Sequence, residues 1–268
     1  MNEHIRKALS LLLLAVFVTG GAFLLRQAGD NARGGAAYSR ALALAAGTEG
    51  DTPTFPEETA QRSWVPAPVE DGDPHMEEMA ALDLAALGQV NPDVVGWIRI
   101  PDSRIDYPLL QGGDNAYYLT HAWDGHSTSV GAIFLERQCS ADLTDFHTIV
   151  YGHNMNDGSM FAGLRKYASQ EYWQNHPYVY IAGEMGVLRY EVFSAYRADV
   201  DSITYRLGFS GEAKAEFLRH AGESSKIDTG IVPEETDRIL TLSTCSGAGY
   251  STRWVVHARL KMVEAPPA

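Results

Sequence analysis

Between residues 94 and 262 the chain is cut into eight short runs of strand-forming residues: 94–100, 105–110, 131–135, 148–151, 178–181, 187–196, 239–245 and 254–262. Turn residues separate them, and Gly183 and Gly186 predict a hairpin between the fifth and sixth runs. Little helix lies between. Tyr117-Tyr118-Leu119 reads as one helical turn, and Met160, Phe161, Leu164 and Tyr167 share a helical face. A long insertion, 201–231, carries a helix over 212–220 that ends at Gly222. Many short strands with few helices predict a mainly antiparallel barrel or sandwich. Ahead of them Met76, Met79, Ala80, Leu82, Leu84 and Leu87 predict one amphipathic helix, starting near Asp73-Pro74 and ending by Asn91-Pro92.

The N-terminus reads as an address. Ala8 to Leu25 is eighteen residues without a charge, about 27 Å as a helix and close to the hydrocarbon thickness of a membrane. Arg6 and Lys7 precede it, so residues 1–7 are expected in the cytoplasm and 8–25 as an uncleaved anchor, with a cleaved signal peptide as the alternative. Residues 26–74 are rich in Ala, Gly, Pro, Thr and acid, which predicts a stalk with a short helix over 38–46. Residues 75–268 form the exported domain. The net charge of −13 argues against a nucleic-acid partner. Sequence signatures of metal sites, phosphate loops and dinucleotide folds do not occur, so no cofactor or metal is expected.

Chemistry concentrates at the end of the seventh run. In a strand, alternate residues share a face. Leu240, Leu242 and Thr244 lie on one face of Leu240–Cys245, and Thr241, Ser243 and Cys245 on the other. In the last run Trp254, Val256, Ala258 and Leu260 form an apolar face opposite Arg253, Val255, His257 and Arg259. Cys245 and Arg253 thus both point away from the apolar faces, and the seven residues between them form a loop that lets their strands run antiparallel. A thiolate can attack an amide carbonyl, an arginine can stabilise the developing oxyanion, and a histidine can carry the proton. Tyr151-Gly152-His153-Asn154 ends the fourth run and supplies His153; His257, on the same face as Arg253, is the competing acid–base residue. His121, His126 and His147 lie in or near loops with no evident partner, and Cys139 reads as a lone loop cysteine.

T-L-S-T-C at 241–245, ahead of an R-W-V-V strand and preceded far upstream by Y-G-H-N, resembles the sortase family, and class B in particular. The stretches N-P-D-V-V-G-W-I (91–98), I-D-Y-P (105–108), D-N-A-Y-Y-L (114–119), G-A-I-F-L (131–135) and Y-G-H-N-M-N-D-G-S-M-F-A-G-L-R-K-Y (151–167) stand in the order of that class, as does the helix-bearing insertion. The resemblance implies a mainly β fold: a closed eight-stranded sortase-type barrel with N-terminal helices and an insertion before the cysteine strand. It implies a catalytic His153, Cys245 and Arg253, and a substrate groove involving Asn115, Leu119, Ser243, the insertion helix and Tyr205. The implied enzyme is a membrane-anchored cysteine transpeptidase with its catalytic domain outside the cell. It cleaves a C-terminal sorting signal in a secreted protein, holds a thioester on Cys245 and passes the acyl group to an amine of a peptidoglycan precursor. A pilin lysine is the alternative acceptor, and plain cysteine endopeptidase activity the alternative outcome.

Overall fold

The computed structural model describes residues 3–48, 72–245 and 251–264. Eight strands close into one barrel: β1 (Val94–Arg99), β2 (Asp106–Leu110), β3 (Ile133–Leu135), β4 (His147–His153), β5 (Tyr178–Gly183), β6 (Gly186–Asp199), β7 (Ile239–Cys245) and β8 (Thr252–Glu264). The order around the barrel is β1-β2-β3-β4-β7-β8-β6-β5. Of the barrel or sandwich that the strand pattern left open, the barrel is present, closed and eight-stranded as the family resemblance implies. The pairing is mixed, since β2–β3 and β4–β7 are parallel. Of the seven-residue loop expected between Cys245 and Arg253, residues 246–250 lie outside the described residues, and Thr252 already belongs to β8.

Strand alternation sorts the side chains into three apolar cores. Ile98, Leu109, Ile133, Val150, Ile181, Leu240, Leu242, Val256 and Ala258 fill the barrel interior. The opposite faces of the first strands carry Val94, Trp97, Leu110 and Phe134, which pack under the N-terminal helices. A third core lies under the insertion between β6 and β7.

The N-terminal layer starts with α1 (Glu3–Ala45), one continuous helix. Its last turns are docked on the barrel, with Ala37, Ala41, Leu44 and Ala45 buried. Gly34 faces Val130 so closely that a Cβ there would meet the valine methyl at 2.7 Å. Tyr38 donates from its hydroxyl to the Gly131 carbonyl at 2.6 Å, and Trp123 Nε1 donates to the Ala37 carbonyl at 2.8 Å. Part of the segment expected as a stalk therefore belongs to the folded body. Among the described residues no helix is long and apolar enough to cross a membrane; most side chains of residues 8–24 lie outside the described set.

The amphipathic helix expected over 74–91 is two helices, α2 (Pro74–Ala80) and α3 (Leu84–Val90). The break follows from capping. Asp83 accepts from the Ala86 amide at 2.9 Å and so starts a new helix, while its own amide donates to the Ala45 carbonyl at the end of α1. Asp73 caps α2 and also accepts from Tyr180 and Arg189, both at 2.7 Å. Burial would raise the Asp73 carboxyl, but these hydrogen bonds outweigh it and lower its pKa. The expected helix at 160–167 is 3-10 in form, Phe161–Ala168. It is followed by α4 (Gln170–Asn175), capped by the Ser169 hydroxyl. Within the insertion, α5 (Ala213–Ser224) buries Phe217, Leu218 and Ala221.

Candidate active site

The site is built on the parallel ladder between β4 and β7. Its register runs from His147 opposite Ile239 to His153 opposite Cys245. His153 and Cys245, about ninety positions apart in sequence, therefore close the same ladder at its last rung. Partners in a parallel ladder lie on one face of the sheet, so Tyr151 and Ser243 share the face of His153 and Cys245, one step further down. That face is the outer one, because Leu240 and Leu242 fill the interior. The Cys245 side chain lies outside the described set.

His153 is half-buried, and its Nε2 lies 2.7 Å from the Leu119 carbonyl. A carbonyl only accepts, so Nε2 carries the hydrogen and Nδ1 is the ring nitrogen left to exchange a proton. The ring is wedged as well as bonded. Gly131 has φ +64°, and a Cβ on it would meet the Tyr118 carbonyl at 2.7 Å, His153 Cδ2 at 2.8 Å and the Leu119 carbonyl at 2.9 Å. Only glycine fits that crossing. Through the Tyr38 hydroxyl, α1 braces the same glycine from behind.

Arg253 is half-buried near the start of β8, where its Nη1 donates to the Thr252 carbonyl at 3.1 Å. The antiparallel β7–β8 ladder pairs Ser243 with Val255. One residue further, Thr244 Oγ1 accepts from the Trp254 amide at 3.1 Å. The described ladder ends at Ser243 and Val255, two residues short of Cys245 on β7 and of Arg253 on β8. His153 and Cys245 end β4 and β7, and Arg253 is the second residue of β8, the strand that pairs with β7.

The expected groove residues divide into two groups. The Tyr205 hydroxyl and Ser243 Oγ are 2.9 Å apart, so the insertion reaches β7 two residues before Cys245. Leu119 contributes the carbonyl that orients His153. Asn115 sits on the other side. Its Nδ2 donates to Glu136 Oε2 at 2.6 Å and its Oδ1 accepts from the Arg137 amide at 2.9 Å. Asp114 accepts from the Ala116 and Tyr117 amides, both at 2.8 Å, which fixes the turn and lowers its own pKa. Glu136, buried, also accepts from the Tyr151 hydroxyl at 3.1 Å. Asn115 is thereby tied to the ladder partner of Ser243. Glu136 follows β3 directly, with no periodicity to mark it; Tyr151 carried a signal, as the alternate residue before His153.

His257 is fully buried, with Nδ1 2.7 Å from Thr241 Oγ1 and Nε2 3.1 Å from the Tyr196 hydroxyl. Burial drives its pKa well below the usual value. His147, unassigned from sequence, is the first residue of β4 and lies 2.7 Å from Thr241 on its Nε2 side. Its pKa is pushed down to about 4 by burial. Cys139 is a free, buried cysteine whose thiol is pushed up to about 11 by burial, which makes it unreactive at neutral pH.

Fold and comparison agree on the class. The family model for the sortase domain matches residues 98–261, and the chain belongs to the sortase family, which makes it a sortase-type transpeptidase. The relatives narrow the type to sortase B. The chain is 39% identical to sortase B of Listeria monocytogenes over 166 residues, covering 61% of this chain and 67% of that protein. It is 32% identical to sortase B of Staphylococcus aureus over 178 residues, 65% of this chain and 73% of that one. Among solved structures, the Staphylococcus aureus sortase B–substrate complex superposes with a TM-score of 0.65 at 31% identity, covering 67% of this chain and 85% of the other.

Proposed function

We propose that this sortase cleaves a sorting signal in a secreted protein, carries the acyl fragment as a thioester on Cys245 and transfers it to an amine of a peptidoglycan precursor. The observation that supports this most is the last rung of the β4–β7 ladder, which pairs His153 with Cys245. In the first half-reaction the Cys245 thiol gives its proton to His153 Nδ1, the thiolate adds to the scissile carbonyl, and Arg253 stabilises the oxyanion. The tetrahedral adduct collapses as His153 Nδ1 gives its proton to the departing amine, leaving the thioester. In the second, the acceptor amine attacks the thioester, His153 takes its proton, and the C–S bond breaks to return the thiolate. The peptide lies along Asn115, Leu119, Ser243 and Tyr205. A peptide substrate fits this reading because the superposing Staphylococcus aureus sortase B is a substrate complex.

Residues 8–25 anchor the enzyme in the cytoplasmic membrane, with 1–7 inside and 75–268 outside the cell. Their uncharged composition supports this. In a continuous α1 only about 18 Å of helix separates Leu25 from the first docked alanine, Ala37, which holds the site close to the membrane where secreted substrates emerge.

The test is turnover of a sorting-signal peptide with an added amine, followed by product mass spectrometry. Cys245→Ala abolishes both turnover and thioester trapping; retained turnover overturns the mechanism. A peptidoglycan-type amine in the product supports the cell-wall reading, a pilin lysine supports pilin polymerisation, and hydrolysis that no amine diverts supports an endopeptidase.

A further inference from the structure

Beneath the insertion runs a chain of five buried polar side chains. His147 Nδ1 is 2.9 Å from the Arg206 carbonyl, and His147 Nε2 is 2.7 Å from Thr241 Oγ1. Thr241 Oγ1 is 2.7 Å from His257 Nδ1, His257 Nε2 is 3.1 Å from the Tyr196 hydroxyl, and that hydroxyl is 2.9 Å from Thr204 Oγ1. None of the five is more than 3% exposed.

One carbonyl fixes the direction of every bond. The Arg206 carbonyl can only accept, so His147 carries its hydrogen on Nδ1. Burial keeps the ring neutral at ordinary pH, so its Nε2 accepts and Thr241 donates. With its single hydrogen spent, Thr241 accepts from His257 Nδ1–H. Neutral His257 then accepts on Nε2 from Tyr196, and Tyr196 in turn accepts from Thr204. No member is left with two donors or two acceptors facing each other.

The two ends of this chain meet. It leaves the insertion at Arg206, crosses β4, β7, β8 and β6, and returns at Thr204. Those residues flank Tyr205 in the 3-10 turn Ile203–Tyr205. Tyr205 itself reaches Ser243, two residues from Cys245 and two from Thr241 in the same strand. Phe193, Phe209 and Phe217 pack around the two imidazoles and exclude water.

We infer that the His147–Thr241–His257–Tyr196–Thr204 circuit is a clamp that holds Tyr205 against Ser243 and thereby sets the affinity for the acyl-donor peptide. These five are positioning residues, acting through Tyr205. The inference rests on the reading that Tyr205 and Ser243 line the peptide groove.

The test compares Thr241→Val, Tyr196→Phe and the milder Thr204→Val with Tyr205→Phe and Ser243→Ala. Readouts are kcat and KM for the sorting peptide, amide hydrogen exchange at 203–206, and the rate at which iodoacetamide alkylates Cys245. Thr241→Val keeps shape but leaves two imidazole nitrogens without partners. The expected result is a rise in KM of about tenfold, the worth of one to two hydrogen bonds, falling on KM rather than kcat. Exchange at 203–206 is faster, and alkylation changes less than twofold because a small electrophile does not use the groove. If Tyr205→Phe raises KM while Tyr196→Phe and Thr204→Val move neither KM nor exchange, the clamp is refuted and the groove stands. If Tyr205→Phe and Ser243→Ala both leave KM unchanged, the groove reading itself fails. Equal losses in alkylation and turnover in all circuit variants identify general damage and also refute the clamp.

Discussion

Gly131 is where the fold and the chemistry can be separated by one methyl group. Its φ of +64° alone costs an alanine about 1 kcal/mol. The larger effect is steric: the added Cβ lies 2.7 Å from the Tyr118 carbonyl and 2.9 Å from the Leu119 carbonyl, both backbone groups that cannot turn aside, and 2.8 Å from the His153 ring. Overpacking of this kind costs about 1–3 kcal/mol, so Gly131→Ala is expected to lower unfolding free energy by about 2–4 kcal/mol. Of the three groups met, the His153 ring is the one side chain that can turn aside, and its motion breaks the 2.7 Å bond that fixes Nε2–H. A displacement near 1 Å at a reacting group costs on the order of 10²-fold in rate, so kcat falls by about that factor. Gly125 is the control. It has φ +82°, but a Cβ there meets nothing nearer than the Tyr117 hydroxyl at 3.7 Å. Gly125→Ala is expected to cost about 1 kcal/mol and to leave kcat unchanged. Urea unfolding gives the stabilities and a fluorogenic sorting peptide gives the rates. Gly131→Ala with parental stability and turnover, or equal turnover losses in the two variants, refutes the wedge.

Three further outcomes can be checked. Because burial depresses the His147 pKa to about 4 from 6.5, its contribution to stability is complete above pH 6.5 and is lost as pH falls toward 4. The loss is about 3 kcal/mol, seen as a drop in unfolding midpoint that His147→Gln flattens; an equally steep drop in that variant refutes the assignment. Groups facing the two imidazoles are the Arg206 carbonyl, Thr241, Tyr196 and, further off, His220. Arg253→Lys keeps the charge but not the planar fork. It is expected to reduce turnover about 10²-fold, and near-normal turnover excludes Arg253 from oxyanion stabilisation. Tyr38→Phe removes the 2.6 Å donor to the Gly131 carbonyl and is expected to cost about 1–2 kcal/mol with a lower kcat; a neutral effect on both shows that α1 does not brace the site.

The strands were legible because a period of two survives in a single sequence, and the facing of β7 and β8 followed from it. What a single sequence does not carry is which strands become neighbours. The parallel pairing of β4 with β7 joins residues about ninety positions apart, and the proximity of His153 to Cys245 depends wholly on it. Local pattern also misjudged the break at Asp83, where apolar spacing continues across a capping residue. Alternation separates Thr241 and Ser243 from the apolar face of β7, but it says nothing of whether that polar face is wet. Thr241 and His257 are fully buried, because the insertion brings Phe217 and its neighbours over them. A covering layer far away in sequence decides whether a polar strand face is wet, and no periodicity within the strand records it.

That covering layer explains why the circuit is polar at all. Phenylalanine contacts alone would hold the insertion on the barrel, since apolar burial is favourable but carries no direction. Replacing both partners of a buried hydrogen bond by apolar groups of like shape can be nearly neutral for stability, so stability does not require these five residues. Placement does. Five bonds of fixed direction, at 2.7–3.1 Å, leave one position for the backbone between Thr204 and Arg206. Tyr205 lies in that interval. A fully apolar version of the circuit is therefore expected to unfold near the parental midpoint and yet bind the peptide more weakly, which separates holding the insertion down from aiming it.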